Sequence, residues 1–137
     1  MAGASNAYEN LILDHVTGKT SLTAGTHATY MGLTTATIGD TDTLSTITEA
    51  AYTGYARVAV SGATWNAASG GSATNASAIQ FGDCSGGTST VVGWFLTGAA
   101  SGTAGTISLY GAVTSTVIST TQTPPKFSAG AITLSAD

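Results

Sequence analysis

Residues 54–61, GYARVAVS, alternate strictly: Tyr55, Arg57, Ala59 and Ser61 on one side, Ala56, Val58 and Val60 on the other. A period of two sends successive side chains to opposite faces of an extended chain, so the second set is expected to face a core. The same signature recurs along most of the sequence. Residues 27–35 (HATYMGLTT) alternate Ala28, Tyr30 and Gly32 against Thr29, Met31 and Leu33, and residues 106–114 (TISLYGAVT) place Ile107, Leu109, Gly111 and Val113 together. Residues 90–97 (TVVGWFLT) are apolar on both sides and read as a central strand, while residues 78–81, 117–119 and 129–135 supply shorter strands. Turn-rich pieces at 39–43, 67–74, 85–87, 99–105 and 123–126 separate them, and the Ser/Gly/Ala-rich stretch 67–76 reads as a surface loop. Short strands joined by Gly/Ser/Thr turns point to one mainly β domain over residues 1–137, an antiparallel β-sandwich or barrel-like domain with one short N-terminal α-helix.

That helix is expected over residues 6–17. Asn6 suits the N-cap, Glu9 three residues on suits a capping box, and Gly18 suits the stop. Tyr8, Leu11, Ile12 and His15 fall at the i, i+3, i+4, i+7 spacing of one face. A helix of about three turns is marginal alone, so this stripe must be covered, by the domain's own sheet or by a neighbouring subunit. Tyr8, Leu11 and Ile12 are therefore the candidates for partner contact or self-association.

Charge narrows the function classes. The chain carries 3 basic and 7 acidic residues, 7% in all, against roughly 25% in ordinary domains. A surface with so little charge protects weakly against association and suits a subunit whose surface is consumed by contacts. Nucleic acid is not an expected partner, because Lys19, Arg57 and Lys126 are far apart in sequence and make no basic cluster. A membrane is not expected either, since no apolar run approaches the roughly 18 residues of a spanning helix. No basic segment followed by an apolar one opens the chain, which implies synthesis in a cytoplasm.

Catalytic chemistry is sparse, and neither enzyme activity nor any cofactor or metal is expected. His15 and His27 sit on different elements. Asp40 and Asp42 have the one-residue spacing of some calcium loops, but the remaining oxygen ligands and the closing Glu are missing. Gly82, Gly86 and Gly87 make no phosphate-cradling motif, and Asp14, Glu49 and Asp83 show no paired-carboxylate pattern. The single Cys84 reads as a small buried apolar residue. Asn75-Ala76-Ser77 matches a glycosylation acceptor, with no secretion signal to give it meaning.

The order of several segments carries more information. NAYENLILDHVTGKTSLT from Asn6, GYARVAV from Gly54, WNAASGG from Trp65, SAIQF from Ser77, GWF from Gly93, LYGAVT from Leu109 and FSAGAITL from Phe127 together resemble a family of small tailed-phage virion proteins. Members are labelled tail fibre proteins or, in some cases, head decoration proteins, and the resemblance covers nearly the whole chain. Gly25 stands where the family pattern carries proline. The resemblance implies a structural virion protein, made in the host cytoplasm and then carried on the particle exterior. The first expectation is a capsid decoration protein whose partners are the major capsid protein and copies of itself. The alternative is a tail-associated or fibre-like protein touching the host surface. A carbohydrate-binding module is the third reading, with Trp65 and Asn66 as candidates for stacking on a host glycan.

Overall fold

The computed structural model describes residues 2–23, 27–60, 62–123 and 125–135; Gly25, Ser61 and Pro124 lie outside these. The elements run β1 (Ala2–Ala4), α1 (Asn6–Val16), β2 (Tyr30–Thr34), β3 (Val58–Ala59), β4 (Ser72–Thr74), β5 (Ile79–Gln80), β6 (Ser89–Thr97), β7 (Ile107–Ile118), β8 (Lys126–Phe127) and β9 (Thr133–Ser135). Five strands form an antiparallel sheet in the order β1-β7-β6-β2-β3, and two ribbons, β4-β9 and β5-β8, stand apart from it. No sheet closes into a barrel, so the architecture is sandwich-like and mainly β.

β6 is the central strand, as its two-sided apolar pattern requires, and the sheet is buried on both faces. On one face Met31, Leu33, Trp94 and Leu96 pack with Tyr52, Val60, Ile79, Phe81, Ile118 and Ile132, which brings both ribbons into the main core. On the other, Phe95 and Ile107 pack with Ile38 and Leu44 from the connection after β2.

Glycines inside the strands make this packing fit. Register sets Gly32 opposite Phe95, Gly111 opposite Trp94 and Gly3 opposite Tyr110, and each ring lies over its glycine. A Cβ added at Gly111 would sit 2.7 Å from the Trp94 indole, and one at Gly32 would run into the Phe95 ring. An aromatic ring laid over a strand glycine covers backbone that would otherwise be exposed. Part of the glycine content is thus a set of sockets rather than loop.

The structure redraws several expected boundaries. Ser5, not Asn6, caps α1: its backbone is extended and its hydroxyl accepts the Tyr8 N–H. Glu9 therefore lies one residue beyond the capping-box position, and the helix ends at Val16 with Thr17 as C-cap. The segments at 106–114 and 117–119 are one strand, β7. The stretch 67–76 is not all loop, since β4 pairs with β9. Among the described residues of that segment, 54–60, only Val58–Ala59 is strand, Ala56 is exposed and Arg57 is buried.

Candidate functional site

α1 is held at its N-terminal end. The Asn6 N–H donates to the Asp40 carbonyl at 3.0 Å, and the Ser5 hydroxyl donates to the Ile107 carbonyl of β7. Tyr8, Leu11 and Asp14 form an inner, half-buried face, and burial pushes the Tyr8 hydroxyl pKa up. No residue of the helix is fully buried. The expected Tyr8/Leu11/Ile12 stripe is therefore split: Ile12 turns outward at 39% exposure, beside Leu13 at 61% and Val16 at 76%. At about 100° per residue, Glu9, Ile12, Leu13 and Val16 share an outer face whose centre lies about 120° round the helix from that of Tyr8 and Leu11.

The glycan-stacking candidates lie elsewhere. Trp65 is half-buried and packs against the main core. Asn66 is exposed but committed to Thr74, through its side-chain amide and its backbone N–H, both at 2.9 Å. Asn75 is fully buried, donating to the Ser77 and Ser128 carbonyls at 2.8 Å and accepting from the Ile132 N–H. This amide is a strut that ties β4 to the β8–β9 connection, and no glycan can reach it. An open groove of about 740 Å³ runs beside β7, with Leu33, Val91 and Phe127 on its floor and Thr116, Gln122 and Lys126 on its rim.

The charged groups are used structurally. Arg57 meets Glu49 through Nε and a terminal nitrogen, both at 2.9 Å, and donates to the Ala99 and Gly102 carbonyls at 3.0 and 2.8 Å. The guanidinium also lies 5.2 Å from the centre of the Phe95 ring. Tyr55 completes the cluster: its hydroxyl donates to Glu49 at 2.6 Å and accepts from the Leu33 N–H at 2.9 Å. Burial and the bond to Glu49 push the Tyr55 pKa far up. The cluster clips the β6–β7 loop to the chain between β2 and β3.

Asp40 and Asp42 do not converge on a common point. Asp40 accepts from the Tyr110 hydroxyl. Asp42 accepts from the Gly39 N–H at 2.8 Å and the Thr46 hydroxyl at 2.9 Å, bonds that hold its pKa low. Cys84 is buried, its thiol 3.4 Å from the Gly86 carbonyl. Among the described residues no group of three or more His, Cys, Asp or Glu is placed to hold a metal, and no helix is long and apolar enough to cross a membrane.

The model of one family, described as Podophage GP4 fiber I protein gp80, matches residues 3–135, which include every strand from β2 to β9 and the whole of α1. The chain belongs to that family. It is a structural protein of a phage virion. No match was found among curated proteins. For a member of a phage fibre family the surfaces matter more than any single reactive group, and the outer face of α1 is the surface on which large apolar side chains gather. Sequence periodicity located the helix and the face shared by Tyr8, Leu11 and Ile12, but not how little of that face is covered or that Leu13 and Val16 extend its apolar arc into solvent. The Glu49/Tyr55/Arg57 cluster was missed. Its only sequence signal is a lone Arg within an alternating strand pattern.

Proposed function

We propose that this chain is a non-catalytic subunit of the phage fibre apparatus that joins neighbouring virion subunits through the outer face of α1. The family match over residues 3–135 supports a fibre over head decoration, reversing the order expected from the sequence. The exposed Ile12, Leu13 and Val16 supply the contact. Such a subunit acts by mass action: it binds the assembled structure and adds that binding free energy to the assembled state. Its hydroxyl- and glycine-rich surface and dispersed charges suit contact rather than turnover. Under the decoration reading the partner is the major capsid protein; under the fibre reading it is another fibre subunit, with host contact at the free end. Trp65 serves the core in this account, and a host glycan is not its partner.

Reconstruction of the particle with the chain labelled tests the proposal. Label at the tail is expected. Label spread over the head surface, with heads that burst at lower temperature when the chain is missing, overturns it in favour of decoration. Saturable binding of a sugar that is lost in Trp65→Ala overturns the assignment of that residue.

A further inference from the structure

We infer that the groove beside β7 binds an extended, acidic stretch of a different virion protein, laid along β7 as an added strand. β1 shows this mode within the chain itself: Ala2–Ala4 pairs with the outer side of β7 at Leu109–Gly111. From Ala112 to Ile118 that side has no strand partner among the described residues, a run of roughly 20 Å at about 3.3 Å per residue. An exposed edge accepts an extended peptide through backbone bonds, and pockets for alternate side chains make the choice selective. The groove supplies those pockets.

A bulge in β7 shapes the groove. Gly93 pairs with Ala112 and Val91 with Thr116, so three β7 residues oppose Val92 alone. The bulge switches the parity of the strand: Leu109 and Val113 face the main core before it, and Ile118 after it. Val113 and Thr114, neighbours that a regular strand sends to opposite faces, therefore line the same groove. The interrupted ladder also suits a short peptide better than the long edge of another sheet. Polar groups then select the occupant. Lys126 is the only charged side chain lining the groove; it is exposed and forms no ion pair among the described residues. The Gln122 side-chain oxygen already accepts from the Ser119 hydroxyl at 2.6 Å, which leaves its amide nitrogen as the free end. Two donors on one rim, one of them cationic, suit a carboxylate. The groove's one aromatic ring, Phe127, is half-buried and committed to the main core, edge-to-face with Phe81 at 6.4 Å, rather than presented as an open face for sugar stacking. The aliphatic Leu33, Val91 and Val113 would leave sugar hydroxyls without partners. An apolar side chain beside an aspartate or glutamate satisfies both floor and rim.

This inference rests on reading the chain as a virion subunit, but not on α1 or on which part of the particle holds it. Displayed peptides of random sequence, selected against the immobilised full chain, test it. Enriched sequences are expected to alternate apolar with polar residues and to carry Asp or Glu at a fixed place. Titrating the best of them into the full chain should shift the backbone amide signals of residues 112–118 and Lys126 in nuclear magnetic resonance spectra and slow hydrogen exchange along 112–118, with α1 unchanged. Lys126→Glu, at an exposed site, should leave thermal unfolding unchanged and weaken the peptide roughly three- to tenfold, because attraction becomes repulsion. Selection against that variant should enrich Lys or Arg at the same place. Leu13→Glu should bind as the parent chain does, which separates this site from the α1 contact. No enriched peptide, enrichment blind to Lys126→Glu, or shifts confined to another surface overturns the inference. So does an acidic sugar, supplied as oligogalacturonate, that shifts the groove signals where peptides do not, or a second copy that fills the groove and is released by Lys126→Glu. Particle location, tested separately, decides the fibre reading.

Discussion

Removing Glu49 should destabilise this protein more than removing its partner Arg57, although the two share one ion pair. The Arg57 side chain is 2% exposed and that of Glu49 27%. Glu49→Ala leaves a guanidinium sealed in the fold with only the Ala99 and Gly102 carbonyls as partners. An uncompensated buried charge of this kind costs about 3–5 kcal/mol. Arg57→Met leaves a carboxylate whose edge already reaches water and a side chain that still covers Phe95. The two carbonyls it releases lie on the half-buried Ala99 and the exposed Gly102, where solvent replaces the lost bonds, so the cost is about 1–3 kcal/mol. At this chain length about 1 kcal/mol moves the melting temperature by roughly 3–5 °C, so Glu49→Ala should fall by about 10–20 °C and Arg57→Met by about half of that. The double variant, with no charge left to bury, should be more stable than Glu49→Ala alone. Calorimetry and urea unfolding at pH 7 read all three. If Arg57→Met is the costlier single change, or if the double variant equals the sum of the singles, the burial asymmetry does not govern the pair.

Gly32→Ala drives a methyl group into the Phe95 ring and should cost about 1–3 kcal/mol of overpacking, relieved by Phe95→Leu in the same chain; urea midpoints check both. Leu11→Ala should cost about 1–2 kcal/mol in thermal unfolding, below the 2–5 kcal/mol of a fully buried leucine, because the α1 inner face is only half covered. Tyr110 has its pKa pushed up to about 12 from 10.0 by its bond to Asp40, then by burial and the neighbouring acidic groups. Its contribution to stability should be complete below pH 10 and be lost as pH rises toward 12, and Tyr110→Phe should flatten the fall in unfolding free energy across that window.

The legible parts of the fold were those with a clean period. Thr90 to Thr97 read as a central strand because both alternation sets are apolar, a pattern that only a strand covered on two faces sustains. β1, β4 and β8 were not legible: three residues of Ala, Gly, Ser or Thr, or the pair Lys126–Phe127, carry no period, and only pairing with β7, β9 and β5 makes them strands. Arg57 misled because alternation assigns a side chain to a face but does not say whether that face is covered. Loop 99–105 covers it, and the Ala99 and Gly102 carbonyls that make burial tolerable lie more than forty residues away in sequence. Asn75 was hidden in the same way: its partners at Ser128 and Ile132 come from the far end of the chain.

The scarcity of charge takes on a different meaning once positions are known. Of the three cations, Arg57 is spent inside the fold, which leaves Lys19 and Lys126 as the exposed ones. Between Asp83 and Lys126 the sequence has no charged residue, and that stretch supplies β6, β7 and the loop that Arg57 clips. Contacts made by the β surface must therefore rest on hydroxyls, backbone and apolar groups, and screening should leave them almost unchanged. Contacts made by α1 differ, because Glu9 and Lys19 flank its apolar centre and are exposed. Salt should weaken α1 contacts modestly while sparing those of the sheet, since surface ion pairs contribute only about 0.2–1 kcal/mol each. The helix end of the molecule is thus where charge can choose a partner, and the sheet end is where an assembly can pack without regard to ionic conditions.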